Sequence, residues 1–150
     1  MISQTAEYAL RAVICLASEP EEPHTTQAIA KRAQIPQGYL SKVLQALGRA
    51  GIVKSQRGLH GGFTLLRDPA EMTALDVVNA VDPIPRLTGC PLGLKAHSEK
   101  LCPLHQRLDD AMASVEAALG GATISEMIAT GSESGPLGGV CKGLAGTEAE

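Results

Sequence analysis

The chain has 150 residues, 13 Lys+Arg against 16 Asp+Glu, one Phe, two Tyr and no Trp. That length suits a single domain with an appendage, and so few aromatics leave an aliphatic core and exclude the base-stacking platforms of single-strand binders. No apolar run approaches the ~20 residues needed to cross a bilayer, and the first segment lacks the basic flank and cleavage pattern of a signal peptide, so a cytoplasmic protein with no membrane partner is expected.

Ser3 is placed to cap a first helix in which Ala6, Leu10, Val13, Ile14 and Ala17 recur at helical spacing, with Glu7 and Arg11 off the packed face. Cys15 in the same helix reads as a small buried thiol. After the acidic loop from Glu19 to Pro23, Thr25 or Thr26 caps a short helix through Ala28, Ile29 and Ala33 that ends before Ile35-Pro36. A third helix follows. Its Leu40, Val43, Leu44 and Leu47 fall on one face and leave Tyr39, Ser41, Lys42 and Gln45 outward. Gly51 stops it, and Ile52–Gln56 and Phe63–Leu66 are strand-like around a tip containing Gly58, Gly61 and Gly62. Two short helices and a hairpin in this order outline a helix-turn-helix with a wing.

Charge agrees with shape. Residues 23 to 67 hold no carboxylate but seven of the 13 Lys+Arg: Lys31, Arg32, Lys42, Arg49, Lys54, Arg57 and Arg67. A net charge of −3 therefore conceals a module of about +7 beside a remainder of about −10, and a polyanion is the natural partner of such a module, a double-stranded DNA operator on the helix-turn-helix reading.

Beyond the wing, Thr73-Ala74-Leu75-Asp76 has the form of a capping box opening a helix through Val77, Val78 and Val81, which Asp82-Pro83 ends. From Arg86 to Leu101 there is no periodicity, only a loop with Cys90, Gly93 and His97. Pro103 starts a helix whose Leu104, Leu108, Ala111, Met112, Val115 and Leu119 form a stripe longer than this domain needs for itself, which points to a homodimer presenting two recognition helices. Gly120-Gly121 stops it, Thr123 to Glu126 caps a last short helix, and the Gly- and Ser-rich remainder with Cys141 is expected to be disordered. The division expected is 1–82 for the winged helix-turn-helix domain, 83–102 for a sensor loop, 103–130 for the dimerisation and terminal helices, and 131–150 for the tail.

Cys90, His97, Cys102 and His105 put two thiols and two imidazoles within sixteen residues, without the tight pairs of a structural zinc finger. Cys102 precedes a helix N-terminus, whose amides attract anionic sulfur, so it is expected to be reactive or ligating. Three classes of function are open: a DNA-binding regulator switched by an iron–sulfur cluster, one switched by a thiol or zinc, and an enzyme using Cys102 with His105. The enzyme is the poorest, since nothing orients the histidine and no oxyanion site is visible.

The opening Glu7-Tyr8-Ala9-Leu10-Arg11-Ala12, the helix from Ile35-Pro36-Gln37-Gly38 to Leu47, the wing Arg57-Gly58-Leu59-His60-Gly61-Gly62-Phe63 and the Cys102-Pro103-Leu104-His105 helix start together resemble the Rrf2 family of bacterial winged-helix regulators. The resemblance covers about residues 1 to 130. It implies a mainly α fold with a small β-hairpin, a homodimer on an operator, base-facing Gln37, Gly38, Tyr39, Ser41 and Lys42, and a wing in which Arg57 reaches the minor groove beside His60. Some members of the family sense nitric oxide, redox state or iron–sulfur supply through a cluster. Such members usually carry three cysteines before the dimer helix, and here only Cys90 and Cys102 match, the middle position falling in 95–98. The implied ligand set for a [2Fe–2S] cluster is Cys90 and Cys102 with Glu7 of the partner and His105 or His97, because such a cluster needs four donors. Arg11 stands where another branch has a histidine ligand.

Overall fold

The structure, a computed structural model, describes residues 2–95 and 100–131; His97, Cys141 and the expected tail beyond residue 131 lie outside the described residues. The order of elements is α1 (Gln4–Ser18), α2 (Thr26–Ala33), α3 (Gln37–Arg49), β1 (Val53–Gln56), β2 (Gly62–Leu65), α4 (Ala74–Val81), α5 (Pro103–Gly120) and α6 (Ile124–Gly131). It is mainly α with one antiparallel hairpin, as the sequence pattern predicts.

Helix α1 is the hub. Ser3 caps it, its hydroxyl oxygen accepting the Ala6 N–H at 3.2 Å. Its buried residues are Ala6, Ala9, Leu10, Ala12, Val13, Ile14, Cys15 and Leu16, a far wider face than one amphipathic stripe. Neighbours on several sides explain this, for α1 packs against α2, α3, α4 and α6, and its alanines let those helices come close. Thr25, not Thr26, caps α2 by accepting the Ala28 N–H at 3.1 Å. The turn into α3 passes through Gln34 at φ 53°, a left-handed position that closes α2, after which the Pro36 carbonyl accepts the N–H groups of Tyr39 and Leu40. Leu40, Val43, Leu44 and Leu47 are buried from α3, as their spacing requires.

In the hairpin, Val53 pairs with Leu65, Lys54 with Thr64, Ser55 with Phe63 and Gln56 with Gly62. Against the expectation, β1 starts one residue later and β2 lies one residue earlier. Ile52 belongs to the helix exit, where its N–H reaches the Leu47 carbonyl at 3.0 Å, and Leu66 adds only an N–H to the Ile52 carbonyl at 2.8 Å. A contact invisible in the sequence joins the wing to the loop before α2, because His24 and Phe63 exchange two backbone hydrogen bonds of 3.0 and 2.8 Å.

Thr73 and Asp76 form the expected capping box of α4, and Thr123 and Glu126 exchange the same pair of bonds at α6. Helix α6 comes back to the N-terminal half. Ile124 is fully buried, its N–H meets the Met72 carbonyl at 2.9 Å, and the Ala74 N–H meets the Ala122 carbonyl at 3.0 Å. Helix α5 behaves differently. It packs on α4, but Leu104 and Leu108 stay 64% and 46% exposed.

Candidate nucleic-acid interface and sensor loop

Because α3 buries only one face, Gln37, Gly38, Tyr39, Ser41 and Lys42 all stand exposed on the other, near its N-terminal end. Apart from its chain neighbours and the backbone of its own helix, no heavy atom lies within 4 Å of where a Cβ on Gly38 would be, so the backbone is open to close approach there. The Ser41 hydroxyl donates to the Gln37 carbonyl at 3.2 Å. Tyr39 meets Tyr8 of α1 edge to face, with ring centroids 5.5 Å apart, and the Arg11 guanidinium lies 5.7 Å from the Tyr8 centroid. Arg57 and His60 are exposed on the wing, where the Gly61 N–H closes a turn on the Gly58 carbonyl at 3.0 Å and puts Leu59 and His60 at the apex.

The seven cations of the basic segment are not equivalent. Arg32 grips both carboxylate oxygens of Glu19, lowering that acid's pKa chiefly through the guanidinium hydrogen bond, and Arg67 lies 3.5 Å from Asp76. Lys31, Lys42, Arg49, Lys54 and Arg57 make no ion pair among the described residues. These five, carried on α2, α3 and the hairpin, are the charge available to a polyanion.

At the other end of the molecule, Cys102 is the N-cap of α5 and Pro103 its first residue. The Cys102 sulfur makes no capping bond and instead lies 3.1 Å from His105 Nδ1, both residues half-buried. Cys90 is half-buried in a turn where its carbonyl accepts the Gly93 N–H at 3.0 Å. Glu7 is exposed on α1 and ion-paired with Arg11. Cys102 and His105 are thus brought together. Among the described residues no third His, Cys, Asp or Glu joins them in a metal-holding group.

One feature near the loop escaped sequence reasoning. Arg86 donates from Nε and Nη2 to the two Asp109 oxygens at 2.8 and 2.7 Å and from Nη1 to Glu116 at 2.8 Å. Asp109 Oδ1 also accepts the Leu87 N–H at 2.9 Å. These bonds, the Arg86 pair first, hold the Asp109 carboxyl down to about 2. Its only signal in the sequence is Asp109 and Glu116 seven residues apart on α5, which reads equally as a solvated face.

Among the described residues no helix is long and apolar enough to cross a membrane. The chain is 30% identical over 147 residues to an rrf2-like HTH-type transcriptional regulator of Rhodobacter capsulatus, covering 91% of this chain and 98% of that one. Its fold is similar to that of CymR, the global cysteine regulator of B. subtilis, at a TM-score of 0.71 and 26% identity over 87% of this chain and 97% of that one. It is equally similar in fold to T. potens IscR, at a TM-score of 0.71 and 24% identity over 87% of each chain. With the family model for Rrf2, described as an iron-dependent transcriptional regulator, matching residues 2–130, the chain belongs to the Rrf2 family and is a DNA-binding transcriptional regulator, not an enzyme.

Proposed function

We propose that this regulator works in the cytoplasm as a homodimer, with residues 1–82 reading DNA, 83–102 forming a sensor loop and 103–130 providing the dimer contact. Each α3 would lie in a major groove, with Gln37, Gly38, Tyr39, Ser41 and Lys42 toward the bases and Arg57 and His60 of the wing toward the adjacent minor groove. The exposed Leu104 and Leu108 support the dimer. Covering such side chains stabilises by about 1.5–3 kcal/mol each before association entropy is counted.

Operator affinity, in this reading, is switched at the loop. The carrying observation is the Cys102–His105 contact of 3.1 Å at the start of α5. A thiolate, an imidazole, a second thiol at Cys90 and a carboxylate at Glu7 have the donor chemistry of a [2Fe–2S] ligand set. Within one chain they do not all converge, so the set requires Glu7 of the second subunit, and His97 is the other nitrogen candidate. A bound cluster would supply a centre sensitive to oxidation or nitric oxide. The chain's own part is to hold two thiols on one side, to offer oxygen and nitrogen on the other, and to give up the Glu7–Arg11 pair in doing so.

The test is the visible spectrum, iron and acid-labile sulfide of anaerobically purified protein. Colour and iron that vanish in Cys90→Ala and Cys102→Ala, and become labile in Glu7→Ala, are expected. A colourless, iron-free protein whose operator affinity is unchanged in both cysteine variants would overturn the cluster. The second reading, a cluster-free thiol or zinc switch, draws on the likeness to CymR and on the two-donor contact; there, zinc or oxidant would change operator affinity in colourless protein.

A further inference from the structure

Asp109 is the single charged residue buried among the described residues, and its two oxygens are spent on fixing the start of the loop: the Arg86 guanidinium and the Leu87 N–H. Successive spacings of four and seven set His105, Asp109 and Glu116 along one face of α5, and Cys102, the N-cap, touches His105 at its start. The loop therefore begins and ends on the same helical stripe. Upstream, Pro83-Ile84-Pro85 leads out of α4, with Ile84 packed against the core. A bidentate guanidinium–carboxylate pair has a defined plane and direction, so this attachment is a fixed point and not a loose charge contact.

We propose that Arg86 and Asp109 are positioning residues of the sensor loop, anchoring Leu87 on α5 so that the Cys90 thiol is kept within reach of Cys102. Three residues of chain from Leu87 to Cys90 span at most about 11 Å. The seven residues from Cys102 to Asp109 rise about 10 Å along the helix. Anchoring Leu87 at Asp109 therefore confines Cys90 to a radius of about 11 Å, which reaches the start of α5 at Cys102. Without the anchor the next fixed point is Ile84, six residues before Cys90, or the end of α4 at Val81, nine before it. Local concentration falls roughly as the −3/2 power of tether length, so doubling or tripling the upstream tether dilutes Cys90 at Cys102 by at most about three- to fivefold, the twelve-residue downstream link between the two thiols being unchanged.

This inference rests on the proposed sensor loop, but its test uses the thiols of the metal-free chain, so absence of iron would leave the result readable. Full-length protein carrying Cys141→Ser is equilibrated with glutathione redox buffer, and the Cys90–Cys102 disulfide is counted by mass. Each disulfide formed passes two electrons and two thiol protons to oxidised glutathione, giving two reduced glutathiones. Arg86→Met and Asp109→Asn are expected to lower the effective concentration of the pair by at most about three- to fivefold, with Arg86→Lys between them and the parent because it keeps charge but loses the planar fork. Helical content and low-salt affinity for non-operator DNA should not move, and a merely structural role would not alter the thiol equilibrium alone. Hydrogen exchange at the Leu87 amide should accelerate in Asp109→Asn. If Arg86→Met fails to fold, Asp109→Asn and Arg86→Lys carry the test. An unchanged thiol equilibrium in these variants, or unchanged Leu87 exchange in Asp109→Asn, overturns the proposal.

Discussion

Replacing Gly62 by alanine should break the tie between the wing and the loop before α2. A Cβ built on Gly62 would stand 2.5 Å from the His24 carbonyl oxygen and 2.6 Å from its carbon, distances no real side chain tolerates. The obstacle is backbone of the loop before α2, so it cannot swing aside as a flexible side chain would. The pair most exposed to this clash is the His24–Phe63 exchange, with bonds of 3.0 and 2.8 Å. Losing two backbone bonds costs about 1–3 kcal/mol, and the crowding of one methyl adds about 1 kcal/mol or more, for a destabilisation of about 2–4 kcal/mol. With a urea dependence of about 2 kcal/mol per molar, the unfolding midpoint should fall by about 1–2 M at fixed protein concentration. Gly38→Ala is the control. It lies in a helix with open space at the Cβ position and should stabilise by about 0.5–1 kcal/mol. A Gly62→Ala midpoint within about 0.3 M of the parent would refute the argument, since that is well short of the expected fall of about 1–2 M.

Arg57→Ala should weaken operator binding about tenfold or more, measured by fluorescence anisotropy at matched salt, because a minor-groove arginine gains from the groove's negative potential; equal affinity would remove the wing from the interface. Leu108→Glu should give monomers or aggregates in sedimentation velocity, since it sets a charge in the exposed apolar stripe of α5. Acid should destabilise the fold in a defined window. Glu19, Asp76 and Asp109 all titrate below their ordinary values of 4.5, 3.8 and 3.8, held by Arg32, by the Thr73 N–H and by Arg86 respectively. Their contribution is complete above the ordinary values and is lost as pH falls through the lowered ones, so urea midpoints should drop between about pH 4.5 and about 2 and stay flat above.

The elements were legible because their signals are local. Ser3, Thr25, Thr73 and Thr123 each announce a helix start by a side chain that binds an amide three residues on, and the α3 stripe needs only its own period to be read. What stayed hidden is non-local. Nothing in the capping box at Thr123 says that α6 returns to bury Ile124 in the N-terminal core, and nothing near His24 says that it pairs with Phe63. Charge was read with the same limit. A run without carboxylates counts seven cations, but Glu19 and Asp76, both outside that run, occupy Arg32 and Arg67. The Cys102–His105 contact was foreseeable from a spacing of three across a helix start, whereas Arg86 and Asp109 are 23 residues apart with no pattern to pair them.

The layout also constrains how a signal at the loop can reach DNA. Cys102 and His105 sit on α5, whose principal packing partner in the chain is α4, while α4 packs on both α1 and α3. The five cations without an ion pair among the described residues lie on α2, α3 and the hairpin. A change of charge at the loop would be felt there only through solvent, where ions screen beyond about 8 Å at physiological salt. Movement is the better carrier, since packed helices shift as bodies. A displacement of α5 would be passed by α4 to α3 directly, and to α1, where Tyr8 contacts Tyr39 at the head of the recognition helix. In a dimer, such a shift re-aims two recognition helices at once. Affinity for an operator with correctly spaced half-sites would change strongly, while non-operator binding, governed by the same five cations in either state, would keep the same salt dependence.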